Sequence, residues 1–276
     1  MSDGSLVSSG PSAVLRPGRA PLAVIGVVLG LMAAACGSPI VERPGSQQAT
    51  GATDQSASGL EAAAERSVIV SARGCGFAPP ADGSGVIISA DEVLTAAHVV
   101  GGSTAVTVAR PGDQLRSDGA DGPEQGLDGQ VVAYDTLRDL AIIKVESPTW
   151  AAPVGPLRYR TLAEGDGGVI VAAAVSGDID FIVTEKTIIE MDEVRGDRRS
   201  RRSGYLLEAV TVPGDSGSGL YDPDGYLAGL LFAVSTDDQR RSWATAADEI
   251  EAFIGEPAHR GTFGCNPDRS RLQRQD

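Results

Sequence analysis

Between Ser67 and Ser235 the apolar positions come in short runs rich in Val and Ile, cut by Gly, Pro and Asp. Runs of that length bounded by turn residues predict strands. They cover 67–72, 85–89, 105–109, 130–134, 141–145, 169–175, 181–190, 205–211 and 226–234. Many short strands with little helix imply a sandwich or a barrel. A helical period shows only near the end of this region. There Thr245 and Asp248 read as a capping-box start, Ile250, Phe253 and Ile254 share a face, and Gly255 closes the pattern. One short C-terminal helix on a β body is the expected result.

Two stretches interrupt the strand pattern. Residues 111–128 (PGDQLRSDGADGPEQGLD) are acidic and turn-rich, as a solvated insertion between strands would be. Arg195, Arg198, Arg199, Arg201 and Arg202 crowd into eight residues. That cluster reads as a solvated hairpin loop, or as a contact for an anionic lipid, glycopolymer or acidic partner.

The N-terminus lacks both periods. Arg16 and Arg19 precede an uncharged run, APLAVIGVVLGLMAAA, which ends at Cys36. A basic stretch, a short apolar stretch and a small-residue site describe a secretory signal over 1–35, short of the roughly 20 residues of a membrane span. Cys36 directly after three alanines resembles a bacterial lipobox, in which that cysteine takes lipid at the new N-terminus. It departs from the usual pattern in carrying Ala33 where Leu is common. An uncleaved signal anchor and plain secretion are the alternatives, and all three place the body of the protein outside the cytoplasm. Residues 37–63, rich in Ser, Gly, Ala and Gln, read with Cys36 as a flexible tether. The folded domain is then expected over 64–256 and a polar tail over 257–276.

Composition narrows the chemistry. The 276 residues are 42% apolar with a net charge of −14, which argues against non-specific nucleic-acid binding. Two histidines, His98 and His259, and three cysteines leave no Cys/His cage for zinc, so no metal or other cofactor is expected. With Cys36 lipidated, Cys75 and Cys265 remain as an even pair, which outside the cytoplasm points to a disulfide. Two free thiols are the alternative. A bridge would close a loop of about 190 residues, for which chain-entropy models give roughly 5 kcal/mol.

Three segments carry the candidate chemistry. Leu94-Thr95-Ala96-Ala97-His98 ends an apolar strand with a histidine, and Arg138-Asp139-Leu140-Ala141 puts an acid at the start of another. Pro213-Gly214-Asp215-Ser216-Gly217-Ser218-Gly219 is a glycine-lined turn with a serine at its tip. A serine hydroxyl becomes nucleophilic only when a base takes its proton, and neutral imidazole is the side chain suited to that near neutral pH. Asp135 competes with Asp139 for the acid's place but lacks the following Leu-Ala run, and His259 lies in the polar tail.

In their order these segments resemble the TAAH, D[IL]A and GDSGG motifs of the trypsin/chymotrypsin-like serine proteases, over about residues 64–256. The resemblance implies a double six-stranded β-barrel with a short C-terminal helix. It makes Ser216 the nucleophile, His98 the general base and Asp139 its orienter, with the amides of Gly214 and Ser216 as an oxyanion hole. Substrates would be proteins or peptides. A closer resemblance is to the membrane-anchored, periplasmic acid-resistance serine proteases of actinobacteria. It rests on Cys75 before Gly83-Ser84-Gly85, on the 135–141 stretch and on a C-terminal Cys, and it supports the Cys75–Cys265 pairing by analogy.

Departures from the pattern set further expectations. Ser218-Gly219 stands where the family has Gly-Pro, which should loosen the turn after the nucleophile. No Ile-Val-Gly-Gly segment offers an amine to Asp215, and 20 residues after 256 leave no room for a peptide-binding PDZ module. The specificity pocket falls on Val210, Thr211 and Val212, then Phe232, Ala233 and Val234. With Val210 six residues before Ser216, in place of an acid, small or medium apolar side chains are favoured over Arg or Lys. The leading expectation is an exported, lipid-anchored endopeptidase acting on envelope proteins. The alternatives are a catalytically silent homologue that binds a peptide or partner through the same cleft, and an envelope adhesion lipoprotein using the arginine cluster.

Overall fold

Strands buried on one face alternate apolar and polar residues, and strands buried on both faces do not. β6 (Leu140–Val145) is of the second kind: Ala141, Ile143 and Val145 enter one core, while Leu140 and Ile142 enter another. β11 (Leu227–Val234) repeats the device, sending Ala228 and Leu231 one way and Leu227 and Leu230 the other. These double-faced strands place a shared apolar layer between two closed barrels.

The structure is a computed structural model that describes residues 50–74, 80–112, 126–148, 150, 155–192 and 199–256. The first barrel runs β1 (Ser67–Gly74), β2 (Ala81–Ile87), β3 (Glu92–Ala96), β6, β5 (Leu127–Asp135) and β4 (Ser103–Ala109), and then closes on β1. The second runs β10 (Gly219–Tyr221), β11, β12 (Arg241–Ala246), β9 (Arg199–Glu208), β8 (Gly177–Asp192) and β7 (Gly167–Ala172). Every ladder in both barrels is antiparallel. The double six-stranded barrel expected from the motifs is therefore the observed fold. Two strands escaped the sequence reading: β10 spans only three residues, and β12 is opened by polar side chains.

The layer between the barrels combines Val86, Leu94, Leu140 and Ile142 of the first with Val171, Tyr221, Leu227 and Leu230 of the second. α3 (Ala247–Gly255) adds Ile250 and Phe253. Burying Phe253 fully is worth about 1.5–3 kcal/mol. α3 stands where the sequence places it, but its expected cap is absent. Ala246 occupies the N-cap, and Thr245 ends inside β12, its hydroxyl donating 3.2 Å to the Arg138 carbonyl.

Two other expectations need correction. The tether does not extend to residue 63. α1 (Thr50–Arg66) forms there, with Leu60 and Ala63 in the shared layer and buried Arg66 donating to Ile87 O and Gly155 O. Alanine favours helix, and Gly59 lies where a Cβ would meet Asp224 O at 2.4 Å, so small residues here serve packing rather than looseness. The arginine cluster is not wholly solvated either. Strand alternation turns Arg201 outward to Glu190 at 3.0 Å and Arg202 inward, where it is 2% exposed. Cys36, Cys75, Cys265 and His259 lie outside the described residues. No helix among the described residues is long and apolar enough to cross a membrane.

Candidate active site

β3 delivers the histidine. α2 (Ala97–Val100) is a single turn in which Ala97, Val99 and Val100 are buried, so His98 faces outward with its side chain 42% exposed. Asp139 closes the 136–139 turn ahead of β6 at a φ of +56°, a left-handed conformation that a short acidic side chain tolerates. Three hydrogen bonds join it to α2. Its Oδ1 accepts from the His98 amide at 2.9 Å, its Oδ2 meets His98 Nδ1 at 2.8 Å, and its carbonyl accepts from the Ala97 amide at 3.0 Å. A carboxylate only accepts, so Nδ1 donates here, and in the neutral ring the lone pair falls on Nε2.

Asp135, the rival acid, has a different task. It is 5% exposed, and its Oδ1 accepts from the amides of Leu137 and Arg138 at 2.8 and 3.1 Å, which shapes the turn that presents Asp139. Arg138 then spreads over three carboxylates, Asp135 at 2.9 Å, Glu249 at 2.9 Å and Glu256 at 3.1 Å. Burial pulls its ionisation down, but hydrogen bonds to Glu249, Glu256 and Asp135 more than offset this, and the result is raised. Arg202 of β9 donates 3.1 Å to Leu137 O and lies 4.1 Å over the Phe232 ring. Burial lowers its ionisation against the opposing fields of Asp139, Glu249 and Asp135. Thr245, Arg202 and α3 thus hold the acid's turn from the second barrel.

Ser216 occupies the loop before β10. Val212-Pro213-Gly214-Asp215 is closed by Asp215 N to Val212 O at 3.0 Å, and Gly214 has a φ of +105°. Pro followed by a residue at positive φ is a type II turn, which glycine favours. Gly217 also requires its lack of a side chain, since a Cβ there would stand 2.0 Å from Ser84 O. Ser216 O accepts from the Ser84 amide at 2.8 Å. A Cβ on Gly83 would touch both that carbonyl and Val99 of α2 at 2.8 Å, so the serine's turn and the histidine's helix abut one point of β2. Ser216 Oγ itself donates 3.4 Å to Phe232 O. Among the described residues the amides of Gly214 and Ser216 make no hydrogen bond.

The expected looseness after Ser216 is not found. Ser218 is fully buried, its hydroxyl donates 2.6 Å to Asp215 O, and its amide reaches the same carbonyl at 3.1 Å. Gly219 stands where a Cβ would meet the Tyr221 ring at 2.7 Å. The substitution of Ser-Gly for Gly-Pro braces the turn by a side-chain bond. Of the expected pocket residues, Val210 is 61% and Val212 41% exposed, while Thr211 is buried against Ser242. Phe232 is buried and Ala233 and Val234 are half-buried. Val210 is therefore not the floor of a closed pocket. Among the described residues no three His, Cys, Asp or Glu side chains cluster as metal ligands would.

The trypsin-like peptidase domain model matches residues 83–230, more than half of the chain. The chain belongs to this family. It is 31% identical over 193 residues to the serine protease Rv3671c of Mycobacterium tuberculosis, covering 67% of this chain and 45% of that one. It is also 31% identical over 183 residues to the putative serine protease HhoA of Synechocystis sp., covering 65% and 44%. The chain thus spans about half the length of the curated relatives it matches. Among solved structures, the active form of the Rv3671c protease superposes with a TM-score of 0.59 at 23% identity, over 84% of this chain and 99% of that one. An inactive form of the same protease gives 0.56 at 27% identity, over 71% and 91%. The family's trypsin-like fold is common to all three.

Proposed function

We propose that the domain is a serine endopeptidase that cleaves peptide bonds through Ser216, His98 and Asp139. The observation that carries the reading is the threefold grip of Asp139 on α2, whose Val99 abuts the same point of β2 as the Ser216 carbonyl. In the reaction Nε2 takes the Ser216 proton as Oγ attacks the substrate carbonyl, and later gives it to the leaving amine. Asp139 holds the tautomer and stabilises the imidazolium. The unspent amides of Gly214 and Ser216 receive the oxyanion, and each such donor is worth about 2.7–4 kcal/mol of transition-state stabilisation. The bond from Ser216 Oγ to Phe232 O is no obstacle, since side-chain rotamer changes take picoseconds to nanoseconds.

Val210 stands six residues before Ser216, where an acid would bind Arg or Lys, and this supports a preference for small or medium apolar residues at the cleaved position. The signal-like segment ending at Cys36 supports export with a lipid anchor at that cysteine, and hence envelope or extracellular proteins as substrates. The remaining pair, Cys75 and Cys265, would be joined as a disulfide.

A fluorophosphonate probe tests the reading on the full chain at neutral pH. Wild type should be labelled, and Ser216→Ala and His98→Ala should not. A folded wild type that resists labelling would favour a silent homologue whose cleft binds without cutting.

A further inference from the structure

Asp215 is a buried carboxylate one residue before Ser216, and Ser176, 39 residues earlier in the chain, is one of its two partner residues. Asp215 has no solvent exposure, and among the described residues it makes no ion pair. Its Oδ1 accepts from the Ser176 amide at 3.2 Å. Its Oδ2 accepts from the Ser176 hydroxyl at 2.7 Å and the Val212 amide at 2.9 Å. A charge withdrawn from water needs such donors or it neutralises. Two of the three come from the tight 173–176 turn that joins β7 to β8.

The same turn touches the oxyanion segment twice more. Val175 covers Gly214 so closely that a Cβ on the glycine would stand 2.7 Å from Val175 Cγ2. The Ala174 amide donates 3.1 Å to Ser84 Oγ in the first barrel. Ser84 is fully buried and serves three elements at once: its amide donates to Ser216 O, its carbonyl accepts from Thr95 Oγ1 at 2.7 Å, and its hydroxyl holds Ala174. Three consecutive residues therefore run from the first barrel, across Gly214, to the carboxylate behind the serine.

We propose that residues 174–176 form a fixed strap that keeps the Gly214 amide in its type II orientation, with Ser176 as a positioning residue acting through Asp215. The proposal rests on the reading of Ser216 as nucleophile. A type II turn differs from type I by reversal of its central peptide, here Pro213–Gly214, and that reversal would carry the Gly214 N–H away from its present direction. Holding Asp215 and crowding Gly214 from one side opposes the reversal. The holding groups are neutral hydroxyls and amides of the chain itself, and they act on the turn without an ion pair.

Ser176 lies at the surface, so its replacement spares the core. In the full chain, Ser176→Ala should lower kcat about tenfold to a hundredfold with KM little changed, short of the 10²–10³ typical for outright loss of a donor. Affinity for a peptide boronate, which mimics the tetrahedral state, should fall by the same factor, and Ser176→Thr should restore both. Amide NMR gives a readout independent of turnover, because the Gly214 and Asp215 resonances should move in Ser176→Ala and return in Ser176→Thr. Unmoved resonances, or an unchanged kcat with a raised KM, would overturn the strap. A wild type that neither labels nor cleaves overturns the nucleophile assignment instead, and the strap is then decided by the resonances alone.

Discussion

The two barrels hold their parts of the site by different physics. The first presents His98 and Asp139 through charge: a carboxylate gripping one turn of helix, with Arg138 ion-paired to three more carboxylates behind it. The second presents Ser216 through backbone shape, using glycines at positive φ, a neutral strap and the Ser218 hydroxyl. Each also depends on the other barrel. Thr245, Arg202 and α3 reach the acid's turn, and Ser84 reaches the serine's. Under the proposed mechanism, charge suits the side that would stabilise an imidazolium, and fixed dipoles suit the side that would receive an oxyanion without rearranging.

The largest effect should come from removing that charge while keeping its shape. In Asp139→Asn the side chain has one acceptor oxygen for two demands. The His98 amide is always a donor and claims the oxygen, so the NH₂ faces Nδ1 and drives the ring proton to Nε2. The base is then blocked, and kcat should fall about 10⁴-fold with fluorophosphonate labelling slowed in step. A loss under tenfold would show that charge on this side is dispensable.

Arg138→Met cuts the link between the charged side and α3. It strands Asp135, Glu249 and Glu256 together, and with the cluster partly exposed, urea unfolding should show a loss of about 2–3 kcal/mol. Turnover by the folded protein should fall far less than in Asp139→Asn, because the grip on α2 lies within the first barrel. Arg138→Lys should not recover the stability, since a point charge cannot serve three carboxylates as a guanidinium does.

The smallest effect sharpens the neutral side. Tyr221 of β10 is fully buried, its hydroxyl has no hydrogen-bond partner among the described residues, and burial raises its ionisation well above the ordinary 10.0. Below pH 10 both folded and unfolded states keep the proton and stability is intact. Above it the unfolded state ionises while the folded state resists, so stability falls with rising pH. Tyr221→Phe should gain about 1 kcal/mol at pH 8 by removing an unpaired hydroxyl. It should also lose less between pH 10 and 11, where one such group contributes up to about 1.4 kcal/mol per pH unit. Urea titrations at pH 8 and pH 11 measure both; equal losses in the two proteins would count against the assignment.

The parts of this molecule legible in sequence are those that repeat or pair with a pattern. Strand runs, the α3 face and the three motif segments all have a period or a spacing. Arg202 was illegible because a run of arginines reads as solvent, although strand alternation sends one of two neighbours inward. Ser176 was illegible because a serine in a turn carries no trace of the carboxylate 39 residues away that it binds. α1 was misread because Gly, Ser and Ala suit a linker as well as a close-packed helix. Ser218 was misjudged from its backbone alone, since nothing in the sequence gives the direction of its hydroxyl.

Ser84 has a consequence for the order of events in the chain's life. This residue of the first barrel holds the carbonyl of Ser216 and the end of the strap, both in the second. A newly made chain in which a single barrel has closed therefore has an unsupported serine turn and a half-anchored acid. The two candidate centres therefore share their supports across the seam, and each turn is fully held only where both barrels are in place.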